Sequence, residues 1–290
     1  MATSSWSSTY GMSNDTEFRN WMTEFSNNLA VIGLVKTSDT GQINISTAVR
    51  PAAGTAAGYE IWRFNDSLQA TAPIFLKIEY GTAPAGFGYL GIWITVGTGS
   101  NGSGTINGIV GTRTSLSVRN VPPASTSVPS YFSHSEGFLG IVFKHAAVSN
   151  HLAEGAFCIV RTCDNTGTPT ATGFAVFYPP GLIETKIQVF NLISSTVSAI
   201  VNATSCIVPQ SITTSTLGSD QQVFLHWVAV PRMQPLAFIG TVINSEFPIS
   251  TTLSVALVGS TARTFITVGS VLGYPCPSGG ATYGIVFLWE

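Results

Sequence analysis

Ionic charge is what this sequence has least of. Only 9% of its 290 residues are Asp, Glu, Lys or Arg, and the formal net charge is -2. An ordinary domain carries about 25%. No run of Lys or Arg occurs, so the attraction that dominates nucleic-acid binding has no source, and nucleic acid is not an expected partner. Long apolar runs are missing too. Mean hydropathy is +0.33, yet no window of about 18 residues is continuously apolar, and no membrane span is expected. The first ten residues, Met1 to Tyr10, are rich in Ser and Thr, with no Lys or Arg ahead of an apolar core. That pattern is not a secretory signal.

Cysteine is scarce. Cys158, Cys163, Cys206 and Cys276 are too few for a disulfide framework, and no C-x-x-C is present. The expectation is buried, reduced thiols and no zinc. Histidine gives no metal pair either. His134, His145, His151 and His226 stand in unrelated contexts, and His226 falls in an alternating stretch where a structural role is expected.

Ser, Thr, Gly and Asn carry the polarity instead. Charges are costly to desolvate, so a surface poor in them suits a subunit covered by neighbours. An ordinary β-rich monomer is the competing reading. One helix is predicted over about 15–30. Asn14 or Asp15 caps it, and Phe18, Trp21, Met22, Phe25 and Leu29 recur at helical spacing. That stripe packs on its own domain or docks on a neighbouring subunit.

Beyond the helix the period becomes two. Runs at 74–80, 92–96, 223–229, 253–257 and 285–289 alternate and are bounded by Gly, Pro or Ser/Thr clusters. The prediction is a mainly β protein with an antiparallel, sandwich- or jelly-roll-like body. The stretch 182–201 is ambiguous between helix and strand. Charged residues are denser before position 80 than after it. The expected division is an N-terminal arm over 1–57, a first β unit over 58–145 and a second over 146–290. A faint echo supports two related units: Arg113-Thr114-Ser115 followed by Gly140-Ile141-Val142-Phe143, then Arg263-Thr264-Phe265 followed by Gly284-Ile285-Val286-Phe287. Chance reuse of a small strand alphabet explains it equally well.

Gly97-Thr98-Gly99-Ser100-Asn101-Gly102 spells G-x-G-x-x-G. A dinucleotide fingerprint needs a helix next and an acid about 20 residues on. Here two more glycines follow, and the next acid is Glu136. The glycines read as punctuation between strands, and no cofactor is expected. No G-x-S-x-G elbow joins a strand to a helix. Glu136, Glu154, Asp164, Glu184, Asp220 and Glu246 are the acids from which a glycosidase pair would come, and no spacing favours any two. No catalytic residue is named.

The densest constellation runs from Gly58 to Gly81. Tyr59, Trp62, Arg63 and Phe64 mix aromatics with charge, and Asn65-Asp66-Ser67 is turn chemistry. Arg63, Asp66, Lys77 and Glu79 could pair across two strands. A well-ordered hairpin is one reading. A contact surface is the other, because aromatic and Arg side chains dominate interface hot spots. The candidate subunit-interface residues are therefore Phe18, Trp21, Phe25, Tyr59, Trp62, Arg63 and Phe64.

The block Gly58 to Gly81, the preceding Val35 to Gln42, the Trp21-x-x-x-Phe25 helix and the terminal Ile285 to Trp289 strand resemble structural proteins of tailed-bacteriophage virions. The resemblance implies a non-enzymatic homo-oligomeric part of a capsid, neck, tail or baseplate. It would be made in the host cytoplasm and partnered by its own copies and other virion proteins. The alternative is a carbohydrate-binding or host-recognition module, with Trp62, Trp93, Tyr89 and Phe87 stacking on host-surface glycan. A glycan-degrading enzyme, the third class, would need clustered carboxylates.

Overall fold

A computed structural model of the chain describes residues 2–9, 14–84, 90–115, 127–144, 153–164, 168–177, 187–191, 196–200, 223–229, 234–243, 252–256, 262–270 and 283–289. Its helix, α1 (Asp15–Val31), begins where Asn14 accepts a bond from the Glu17 amide at 3.0 Å. Asp15 and Glu17 in the first turn complement the positive end of the dipole. The helix stops in a Schellman turn. Gly33, at φ +93°, bonds Ala30, and the Leu34 amide reaches back to Leu29. A left-handed backbone there suits glycine, and Leu34 folds onto Leu29 in the core.

The first sheet is an antiparallel meander. It holds β2 (Val35–Lys36), β3 (Ala56–Arg63), β4 (Phe75–Thr82), β5 (Leu90–Gly97) and β8 (Val110–Ser115), in that order. Between β5 and β8 a small hairpin forms from β6 (Gly99–Ser100) and β7 (Ile106–Asn107). The glycine motif thus enters a hairpin, as the reading of glycine punctuation expects.

The second sheet has seven strands. β1 (Ala2–Thr9) lies on its margin beside β9 (Ser127–Ser135). Then follow β10 (Phe138–Lys144), β11 (Ala153–Cys163), β12 (Pro169–Phe177), β13 (Ile187–Asn191) and β14 (Thr196–Ile200). The ambiguous 182–201 stretch therefore supplies two strands. The β10–β11 ladder runs across the expected 145/146 boundary. Residues before 58 contribute to both sheets and to the helix between them.

The third sheet is ordered β15 (Val223–Ala229), β16 (Gln234–Ile243), β19 (Tyr283–Leu288), β18 (Ala262–Ser270) and β17 (Thr252–Ala256). The sequence echo does not repeat here as structure. β18 and β19 are hydrogen-bonded neighbours, whereas β8 and β10 lie in different sheets. A duplicated unit would keep its pairing.

The seven-stranded sheet is the middle layer. Its Phe132, Leu139, Ile141, Phe157, Ile159, Phe174 and Val176 join one core with α1 and the first sheet. Phe25 of α1 touches Tyr80 of β4 at 5.9 Å and Phe132 of β9 at 5.2 Å, both edge-on, so the helix is wedged between two sheets. Alternation along β9 sends Tyr131 and Ser133 to the other face. There Tyr131 meets Trp289 at 5.9 Å, and Ser133 donates to the Leu288 carbonyl at 2.8 Å. The result is a mainly β, antiparallel, sandwich-like protein with one N-terminal helix.

Candidate interaction surface

Alternation along β3 sorts the interface candidates. Trp62 turns inward, and Phe64, just past the strand, is also enclosed. Together with Phe18, Trp21 and Phe25 these side chains are at most 2% exposed, enclosed by their own chain. Such side chains have no area left for a neighbour. Tyr59 and Arg63 turn the other way and stay half-buried. The helical stripe thus packs on its own domain. Of the aromatics proposed to stack on sugar, Trp62 is 2% and Trp93 5% exposed. Phe87 and Tyr89 lie outside the described residues.

The outer face of the first sheet is a polar and aromatic ladder. The Lys77 ammonium sits 4.2 Å above the Tyr59 ring and donates to the Gly104 carbonyl at 2.9 Å. The Arg113 guanidinium lies 4.4 Å over Trp93 and pairs with Glu79 at 2.6 Å. Arg113 is 44% exposed, so that pair is worth little in stability. It does cover the indole. The β6–β7 hairpin folds onto this face. Gly104, at φ +92°, lies against the Tyr59 ring, where any Cβ would collide. Asp39 pins the hairpin, accepting from Ser100, from Thr37 at 2.6 Å and from the Gly104 amide at 3.4 Å. Burial pushes the Asp39 carboxyl up, but these bonds outweigh it, and its pKa ends below the ordinary value.

The charge pairs expected within Arg63, Asp66, Lys77 and Glu79 do not form with one another. Arg63 bonds the Phe64 carbonyl at 3.5 Å. Asp66 instead takes both arms of Arg161, at 2.6 and 2.9 Å, with side chains 1% and 0% exposed. Arg161 also donates to the Ala72 carbonyl at 2.7 Å. This bidentate clamp fastens the β3–β4 loop to the middle sheet. Glu136 fastens the same loop through the Ser67 amide at 2.9 Å and the Ser67 hydroxyl. Sequence reading missed Arg161. Its signal was a lone Arg in the apolar stretch Phe157 to Cys163.

A second enclosed carboxylate, Glu60, is 0% exposed. Lys36 reaches it at 2.6 Å, Ser26 at 3.1 Å, Trp62 at 3.1 Å and Tyr80 at 2.6 Å. These donors come from β2, α1, β3 and β4, so one carboxylate ties four elements together. Burial first, and then the Glu60 charge, push the Tyr80 phenol well above its ordinary pKa.

His134 is 6% exposed. Its Nδ1 lies 3.0 Å from the Ile32 carbonyl at the helix end, and Phe64 meets its ring edge-on. Its Nε2 has no partner among the described residues. Burial lowers its pKa and outweighs the Ile32 carbonyl and the Asp66 and Glu136 charges, which raise it. Below about pH 6.5 the unfolded chain therefore takes the proton before the folded one, and stability falls as pH falls towards the lower folded value. Melting temperature followed from about pH 7.5 to about pH 5 should drop more in the wild type than in His134→Gln. Equal drops would place the dependence elsewhere.

Cys158 and Cys163 are buried and outside any disulfide, and burial pushes the Cys158 pKa well up. Cys206 and Cys276 lie outside the described residues, as do His145, His151, Glu184, Asp220 and Glu246. Of the six acids considered for catalysis, Glu136 and Asp164 bond loop amides. Among the described residues no three His, Cys, Asp or Glu side chains gather to hold a metal. No helix described is long and apolar enough to cross a membrane. No protein-family model matches the chain, and no curated protein matches it.

Proposed function

We propose that the protein is a non-enzymatic structural subunit of a tailed-bacteriophage virion, in its neck, tail, baseplate or capsid accessory layer, acting through subunit contacts. The observation that carries this reading is where the few charges go. Arg161–Asp66 and Lys36–Glu60 fasten layers together, while Arg113–Glu79 and Lys77 lie down on their own sheet. These seven charges are committed within the fold, and charged residues are only 9% of the sequence. A surface whose polarity is mostly hydroxyl and amide costs less to desolvate against companions than an ionic one. The chain needs no chemistry for such a role, and its oligomers would form from the same copies.

Mass spectrometry of purified particles of the source phage tests it. Peptides of this chain should appear in fixed stoichiometry with the known particle proteins. Their absence from particles, with the chain abundant in the infected-cell lysate, would overturn the reading.

A further inference from the structure

The middle sheet ends on β1, and among the described residues nothing pairs with its outer side. In an antiparallel ladder every second residue turns its N–H and C=O away from its partner. β1 therefore presents a row of backbone donors and acceptors. Proteins blunt such edges with charge, proline, bulges or shortness. The other edges here carry those devices. β8 has Arg113 and a register break, and β15 has a bulge at His226/Trp227. β2 is two residues long, and β14 and β17 are five each. β1 has eight residues, without charge or proline, and follows β9 with no break in register.

We propose that this edge pairs with the same edge of a second copy, antiparallel about a two-fold axis. Alternating donors and acceptors require a β-strand as occupant. A neutral strand selects no complementary charge pattern, and a two-fold axis supplies the matching row from the chain itself. Parity restricts the register. Along β1, residues alternate between facing β9 and facing out, and both members of an outward pair must face out. Positions opposite each other therefore sum to an even number, so the axis passes through a residue facing its own counterpart. Ser5 is exposed and central, and it takes that place. Ala2 then lies opposite Ser8 of the second copy. One strand edge buries less than the roughly 1,200 Å² of a stable complex, so the dimer is weak and concentration-dependent. This names a surface for the assembly reading but stands apart from where assembly happens.

Sedimentation velocity of the full chain over a wide concentration range tests it. The wild type should shift from monomer to dimer. Ser5→Lys sets two like charges face to face and should weaken the dimer by about tenfold, with the melting temperature unchanged. Ser5→Cys should give a covalent dimer on mild oxidation, because directly opposed Cα atoms, about 4.5–5.5 Å apart, fall within the span a disulfide bridges. Ser103→Cys, exposed on the glycine hairpin, should not. A monomer at every concentration, or a dimer indifferent to Ser5→Lys, overturns the pairing. A monomer whose peptides are present in particles overturns it while leaving the virion reading in place. A Ser5-dependent dimer absent from particles supports the pairing and removes the virion reading.

Discussion

Asp66→Ala should cost about 3–5 kcal/mol of folding stability, because it leaves the Arg161 guanidinium charged and enclosed without a counter-charge. The remaining partner, the Ala72 carbonyl, bonds only one nitrogen. Loss of the clamp also frees the β3–β4 loop, on which Glu136 keeps a second hold. The paired variant separates the two causes. Asp66→Ala with Arg161→Met removes the orphan charge and fills the space with an apolar chain. It should recover most of the loss, since a buried ion pair rarely outperforms a well-packed apolar replacement. Denaturant midpoints for the two single variants and the double variant check this. A single variant within about 0.5 kcal/mol of wild type would show that water reaches Arg161.

Glu60→Ala should be comparably damaging, by about 3–5 kcal/mol, for a different reason. Lys36 is 38% exposed and can turn to water. The phenol of Tyr80 and the indole N–H of Trp62 cannot, because both are buried. Each unsatisfied buried donor costs about 1–3 kcal/mol. The methyl group also leaves a cavity where α1, β2, β3 and β4 converge. Lys36→Met, which keeps the carboxylate and its three neutral donors, should cost less than Glu60→Ala. Equal losses would mean that the ion pair, rather than the enclosed donors, sets the energy. The same urea titration reads both.

Much of the fold was legible because it is written in local periods. Phe18, Trp21, Met22, Phe25 and Leu29 lie on one helical face by spacing alone, and all are buried. Asn14 supplied the cap. Alternation gave β4, β5, β15, β17 and β19, and the glycine motif was recognised as a turn region. The ambiguity at 182–201 arose because short apolar runs fit either period. The site was less legible. Tyr59, Trp62, Arg63 and Phe64 stand as one constellation in the sequence, yet Trp62 and Phe64 are enclosed while Tyr59 and Arg63 keep exposed area. A side chain's type did not tell which way it would point. Trp62 is enclosed because α1 lies over that face of the sheet.

The sequence by itself determined the class of protein, the N-terminal helix with its capping residue, and the scarcity of ionic residues. These depend on neighbours a few residues apart, where backbone geometry dictates who meets whom. Only the tertiary structure decided that Asp66 meets Arg161, 95 positions away, that β1 borders β9, and that the helix is covered on both sides. Those encounters depend on strand order. Many orders satisfy the same local pattern, and only packing the layers together selects one.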